Sequence, residues 1–154
     1  MSDQIERLIA HYQKALLIKP DNTEVYSNLA ELYYKRGQLD EAIAVYRCAI
    51  EVKPDAYQTY YRLGEILQEL QRWPEAIYCY LQVISCYQEG LHVEQIFVDS
   101  YYKLIDIKNN CPLPEVINIY RQIIREKPDF YLPYLDLGDM LTQQGNLEGK
   151  DSGL

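Results

Sequence analysis

Two stretches of this chain, 34 residues apart, repeat one spacing of large and small side chains, and that repeat limits the fold more than anything else in the sequence. Residues 23–56 and 57–90 align with no gap over most of their length. Tyr26 falls over Tyr60, Leu29 over Leu63, Ala30 over Gly64, Ala42 over Ala76 and Tyr46 over Tyr80. A period of this length marks stacked units, none of which can bury its apolar face alone. Within the first unit, Tyr26, Leu29, Ala30 and Tyr33 recur at i, i+3, i+4 and i+7, which predicts a helix over 23–36. Gly37 ends it as a C′ residue would. Ala42, Ile43, Tyr46, Ala49 and Ile50 share one face of a second helix that begins near Asp40, and Pro54 in "KPD" closes it. A looser copy, "PLPEVINIYRQIIREKPD", occupies 112–129. In the later copies Pro74 and Pro114 enter the first turn, where a missing N–H costs little. Glu75 and Glu115 follow them, where the helix dipole favours a negative charge. The small residues let paired helices approach, and the tyrosines and leucines fill the space between pairs.

The rest of the chain follows the same grammar out of phase. "IERLIAHYQKALLIKPD" reads as a second helix without its first, over 3–18, with Asp3 and Glu6 spaced as a capping box. "YLPYLDLGDMLTQQG" reads as a first helix over 131–144 with its turn at Gly145, followed by a polar tail at 149–154. Near "EGLHVEQIF" the period lengthens. A break at Gly90 and a longer first helix over about 92–109 are expected, with Tyr101, Leu104 and Ile105 facing the core and a shortened turn at "NNCPLP". The organisation is a single domain over 1–148. It holds an orphan helix, repeats at 23–56, 57–90 and about 96–129, and a closing orphan helix: about eight helices, all-α.

Composition excludes several functions. Fifteen Lys and Arg against 23 Asp and Glu give a net charge of −8, the wrong sign for binding nucleic acid or an anionic membrane face. No stretch is long and apolar enough to span a bilayer, and "MSDQIERLIAHYQ" lacks the basic-then-apolar order of a signal peptide. Cys48, Cys79, Cys86 and Cys111 form no C-x-x-C pair, which reads as reduced thiols in a cytoplasmic protein without metal. His11 and His92 belong to no recognised motif, and no phosphate loop or metalloprotease signature occurs. No enzyme activity, cofactor or metal site is expected.

These residues resemble the tetratricopeptide repeat family. Its pattern sets a large residue at position four, Leu and a small residue at seven and eight, and an aromatic at eleven. It continues with Ala at twenty, an aromatic at twenty-four, Ala at twenty-seven and Pro at thirty-two. Residues 23–56 meet all eight positions, and 57–90 meet most of them, Val83 and Gln88 being among the departures. The resemblance implies a right-handed α-solenoid of antiparallel helix pairs whose first helices line a concave, peptide-binding groove. It places Tyr12, Tyr26, Tyr33, Tyr46, Tyr60, Tyr80, Tyr120 and Tyr134 on core positions. Tyr34 and Tyr61 fall on groove positions, where a rigid tyrosine serves well as a binding anchor.

The implied function is a protein-interaction module. The expected contacts are Asn28, Glu31, Tyr34, Tyr61, Arg62 and Glu65, with tyrosines as apolar anchors, Asn28 bonding peptide backbone and the glutamates selecting a neutral or basic partner. In chaperone-binding relatives a carboxylate clamp uses Lys and Asn on successive first helices. Asn28 and Arg62 match two of its positions, whereas Gln58 stands where Lys is needed, so no clamp is expected. An asparagine ladder like that of O-linked N-acetylglucosamine transferases is matched at Asn28 and broken at Arg62 and Asp136. Two other readings stand beside the groove. One is end-to-end self-association through helix faces left uncovered at either end. The other is a repeat appendage of a larger glycosyl- or methyl-transferring protein.

Overall fold

A computed structural model of the chain describes residues 2–87 and 94–151. Among them every regular element is an α-helix, and there are eight: α1 Ser2–Ile18, α2 Thr23–Lys35, α3 Leu39–Val52, α4 Tyr57–Glu69, α5 Trp73–Ser85, α6 Gln95–Lys108, α7 Leu113–Glu126 and α8 Leu132–Asp151. They stack as an all-α solenoid: α2 lies along α3 and α4 along α5 as close antiparallel pairs, with α1 on α2, α3 on α4 and α7 on α8.

The two close pairs share one turn. After α2, Gln38 N–H donates to the Tyr33 carbonyl and Gly37 N–H to the Tyr34 carbonyl, both at 2.9 Å. After α4, Arg72 N–H donates to Leu67 and Gln71 N–H to Gln68, again at 2.9 Å. This double bond pattern is a Schellman ending, which requires a left-handed residue at C′. Gly37 meets the requirement at φ 76° and Gln71, its counterpart, at φ 57°. Packing between the helices depends on small residues: Ala30, Ala42, Ala49 and Ala76 are fully buried. A Cβ on Gly64 would lie 3.0 Å from Tyr80 Cε1 and 3.2 Å from Cys79 Cβ. The core runs through this seam and on to Leu104, Ile107, Val116, Ile117, Tyr120 and Ile123.

The third pair departs from the pattern. α5 packs closely on both α6 and α7, while α6 and α7 do not form a close pair. Two causes lie in the sequence. Where the earlier pairs carry Ala42 or Ala76, this one carries Val116, and Ile123 stands where α3 has Ala49. The turn spans four residues rather than three, without a left-handed residue. The expected register of α6 is therefore corrected. Its buried stripe is Ser100, Leu104 and Ile107, whereas Tyr101 and Ile105 are 43% and 42% exposed. α6 also begins at Gln95, after a non-helical Glu94, rather than near 92. The expected break at Gly90, and His92, lie outside the described residues.

Three further expectations change. α1 starts at Ser2, so Asp3 sits inside the first turn instead of capping it. α8 continues through Gly145 to Asp151, so the expected turn at Gly145 does not form. A glycine costs a helix only about 1 kcal/mol relative to Ala, and no following helix among the described residues turns the chain back. Of the tyrosines assigned to the core, Tyr46, Tyr60, Tyr80 and Tyr120 are buried and Tyr12, Tyr26 and Tyr33 half-buried. Tyr134 is 46% exposed, because no second helix among the described residues follows α8 to cover it.

Candidate functional site

The first helices α2, α4 and α6 carry one interlocked polar layer. Arg62 on α4 reaches back to Glu31 on α2, with Nε 2.6 Å from Oε1 and Nη2 3.3 Å from Oε2. This two-point contact is the geometry in which Arg and a carboxylate pair best. The same guanidinium lies 4.4 Å over the Tyr34 ring centroid and 3.6 Å from Glu65. Glu65 in turn accepts a bond from Lys103 Nζ on α6 at 3.0 Å, and Lys103 sits 5.0 Å from the Tyr61 ring centroid. Tyr34 donates its hydroxyl to Glu69 at 2.8 Å.

Tyrosines of the second helices supply the floor. Tyr46 donates to Glu31, Tyr80 to Gln68 at 2.6 Å, and Tyr120 to Asp136 on α8 at 3.1 Å. The Tyr61 ring meets Tyr80 edge-on at 6.2 Å between centroids. Each of these tyrosines belongs to the core by its ring and reaches polar residues of the first helices by its hydroxyl.

The electrostatics follow from these contacts. Partial burial works to raise the Glu31 carboxyl, but bonds from Arg62 and Tyr46 and the charge of Arg62 outweigh it and hold Glu31 below the ordinary glutamate range. The bond to Glu31 raises the Arg62 pKa further. For Lys103, desolvation opposes the charge and Glu65 restores it, leaving a net upward shift. Burial, joined by the negative charges of Glu31 and Asp136 respectively, pushes the Tyr46 and Tyr120 hydroxyls far up, so both remain donors.

Five of the six residues expected from the sequence are thus brought together: Glu31, Tyr34, Tyr61, Arg62 and Glu65, all half-buried. Asn28 stands apart, exposed, and its side chain makes no hydrogen bond among the described residues. Lys103 was missed, because α6 lies where the repeat loses its period. The pairing of Glu31 with Arg62 left a readable signal, opposite charges at repeat positions nine and six of successive first helices. Among the described residues no group of three or more His, Cys, Asp or Glu side chains could hold a metal ion. No helix among them is long and apolar enough to cross a membrane.

An α-solenoid with a polar layer along its first helices is the architecture of helical-repeat interaction proteins. Family models of the tetratricopeptide repeat match residues 11–44, 30–71 and 58–88, together just over half of the chain. The chain belongs to the tetratricopeptide repeat family. No curated protein sequence matches it. Solved structures that resemble it include the type III secretion translocator chaperone SycD of Yersinia enterocolitica, at 16% identity and TM-score 0.62 over 71% of this chain and 75% of that one. MamA matches at 23% identity and TM-score 0.59, over 94% of this chain and 75% of that one. YrrB, a TPR protein with an unusual peptide-binding site, matches at 18% identity and TM-score 0.52, over 89% and 68%. At these identities the likeness establishes the fold.

Proposed function

We propose that this chain is a protein-interaction scaffold, without catalysis of its own, that binds a partner segment along the concave face of α2, α4 and α6. The observation that carries this reading is the interlocked layer. Arg62 clamped between Glu31, Glu65 and Tyr34, and Lys103 between Glu65 and Tyr61, hold these side chains in one arrangement before any partner arrives. A preorganised surface loses little conformational freedom on binding. In this reading Asn28, whose side chain is free among the described residues, bonds peptide backbone, and Tyr61 offers an apolar edge.

The pairing also refines the partner's chemistry. Glu31 and Glu65 each already hold a cation of this chain, so the centre of the layer is neutral and selects weakly by charge. Selection against acidic partners falls to the chain's net charge of −8, which acts at longer range. The test is selection of peptides from a displayed random library on the intact chain, followed by affinity measurement. Selected peptides should be neutral or basic, and both Tyr61→Ala and Asn28→Ala should weaken them about tenfold or more, as the loss of a central anchor does. Peptides that bind both variants as tightly as the parent would place recognition elsewhere.

A second reading rests on exposure at the two ends. Leu17 and Ile18 on α1 are 83% and 86% exposed, and Tyr131, Tyr134, Leu135 and Leu141 lie exposed at α8. We propose that these faces pair between chains. Light scattering across about a hundredfold range of concentration separates the outcomes, since a mass fixed near 18.2 kDa rules pairing out.

A further inference from the structure

The side opposite the groove carries a recess that the groove does not use. It has a volume of about 490 Å³ and opens outward between α3 and α7, across α5. Ile50 forms one wall, Tyr60, Leu63 and Leu67 the floor, and Cys79 and Ile119 the far wall. The recess follows from the irregular third pair. Val116 and Ile123 keep α7 from closing on α6, and α7 packs on α5 instead, bringing Ile119 and Gln122 alongside residues of α3. In size it falls within the usual range of ligand pockets, about 300–1,000 Å³.

The charged residues that line the recess are one cation, Arg47, and two carboxylates, Glu51 and Glu75. Arg47 is committed to Glu75, which Arg72 also holds at 2.8 Å. Glu51 on the rim has no ion-pair partner among the described residues. Just behind the α7 wall, Glu126 is bound only by neutral donors: Tyr78 at 2.7 Å, Gln82 at 3.1 Å and Gln122 at 3.1 Å. Its field reaches the floor. Burial chiefly, then Cys79 and Glu126, push the Tyr60 hydroxyl up to about 12.

We infer that this recess is a second docking site, taking a partner protein segment that inserts a bulky apolar side chain beside a lysine or arginine. The apolar floor receives the first, and Glu51, the rim carboxylate without a cation among the described residues, receives the second. A peptide fits better than a small molecule because the recess is open along its outer side, where the partner's own backbone would cover the inserted side chain. The site stands independently of the groove.

The test is an amide NMR titration of the whole chain with the acetylated, amidated peptide Leu-Lys-Phe-Lys, and in parallel with Leu-Glu-Phe-Glu. The lysine peptide should shift the amides of Leu63, Leu67, Cys79 and Ile119 saturably and bind more tightly than the glutamate peptide. Glu51→Gln should weaken it about two- to fivefold, the worth of one partly exposed ion pair. Gln122→Trp, from an exposed position that does not endanger folding, should fill the recess and abolish the shifts, whereas Tyr61→Ala in the groove should leave them unchanged. Equal binding of the two peptides, shifts gathered at Asn28 and Tyr61, no shifts at millimolar peptide, or saturable shifts with benzylammonium alone would each overturn the inference.

Discussion

Gln71 holds a backbone conformation that its side chain disfavours, and the repeat supplies its own control. Gln71 sits at φ 57° in the same Schellman ending in which Gly37 sits at φ 76°. A left-handed conformation costs an L-residue about 1–2 kcal/mol. Replacing Gln71 with glycine removes that cost but returns about 0.5–1 kcal/mol through the larger freedom of glycine in the unfolded chain. The side chain is exposed and makes no hydrogen bond among the described residues, so nothing else is lost. Gln71→Gly should therefore stabilise the fold by roughly 0.5–1 kcal/mol, a rise in Tm of about 1–4 °C for a chain of this size. Gly37→Gln should lower stability by a similar or larger amount, about 1 kcal/mol. Gln71→Ala keeps a Cβ at the same φ and should change little. Thermal unfolding of the three variants beside the parent decides the matter. If Gln71→Ala stabilises as much as Gln71→Gly, the left-handed backbone is not the source of the gain.

The remaining glycines separate packing from propensity. Gly64→Ala drives a methyl to 3.0 Å from the ring of the fully buried Tyr80 and should lose about 1 kcal/mol or more despite the better helix propensity of Ala. Gly145→Ala meets nothing within 4 Å and should gain up to about 1 kcal/mol, both read by urea unfolding. Glu31 has a lowered pKa in the folded chain, so the unfolded state binds its proton more readily. Its contribution is complete above the ordinary glutamate value and is lost as pH falls through the lower folded one. Urea midpoints from pH 7 down to pH 3 should therefore fall less steeply for Glu31→Gln than for the parent. An equal slope would remove Glu31 from the account. Burial pushes the Cys79 thiol up to about 12, whereas Cys48 is exposed, so a thiol reagent at pH 8 should label Cys48 at once and Cys79 only on unfolding.

What could be read in the sequence was whatever packing imposes at every repeat. Ala30 over Gly64 and Ala42 over Ala76 mark close helix pairs, because two backbones cannot approach past a larger side chain, and those pairs formed as the spacing requires. That Glu31, Tyr34, Tyr61, Arg62 and Glu65 share one side of the first helices was legible for the same reason, since the seam fixes which way positions five, six, nine and twelve turn. Their mutual bonding was not, since Arg62 with Glu31 and Lys103 with Glu65 depend on which helix lies beside which and on α6, where the period fails.

The third pair shows the limit most clearly. A matching rule looks for repeat letters and finds Tyr120 in place, but Val116 and Ile123 change the distance between helices while leaving the pattern nearly intact. Once α7 cannot close on α6, its apolar face must be buried elsewhere, and the exposed alternative costs about 25 cal/mol for each Å² left in water. α5 is the surface within reach. Tyr101 and Ile105 then face solvent, and the recess above Leu63 and Leu67 opens on the opposite side. Two substitutions of bulk for alanine thus move features on both faces of the solenoid, and the recess depends on the spacing of α6 and α7.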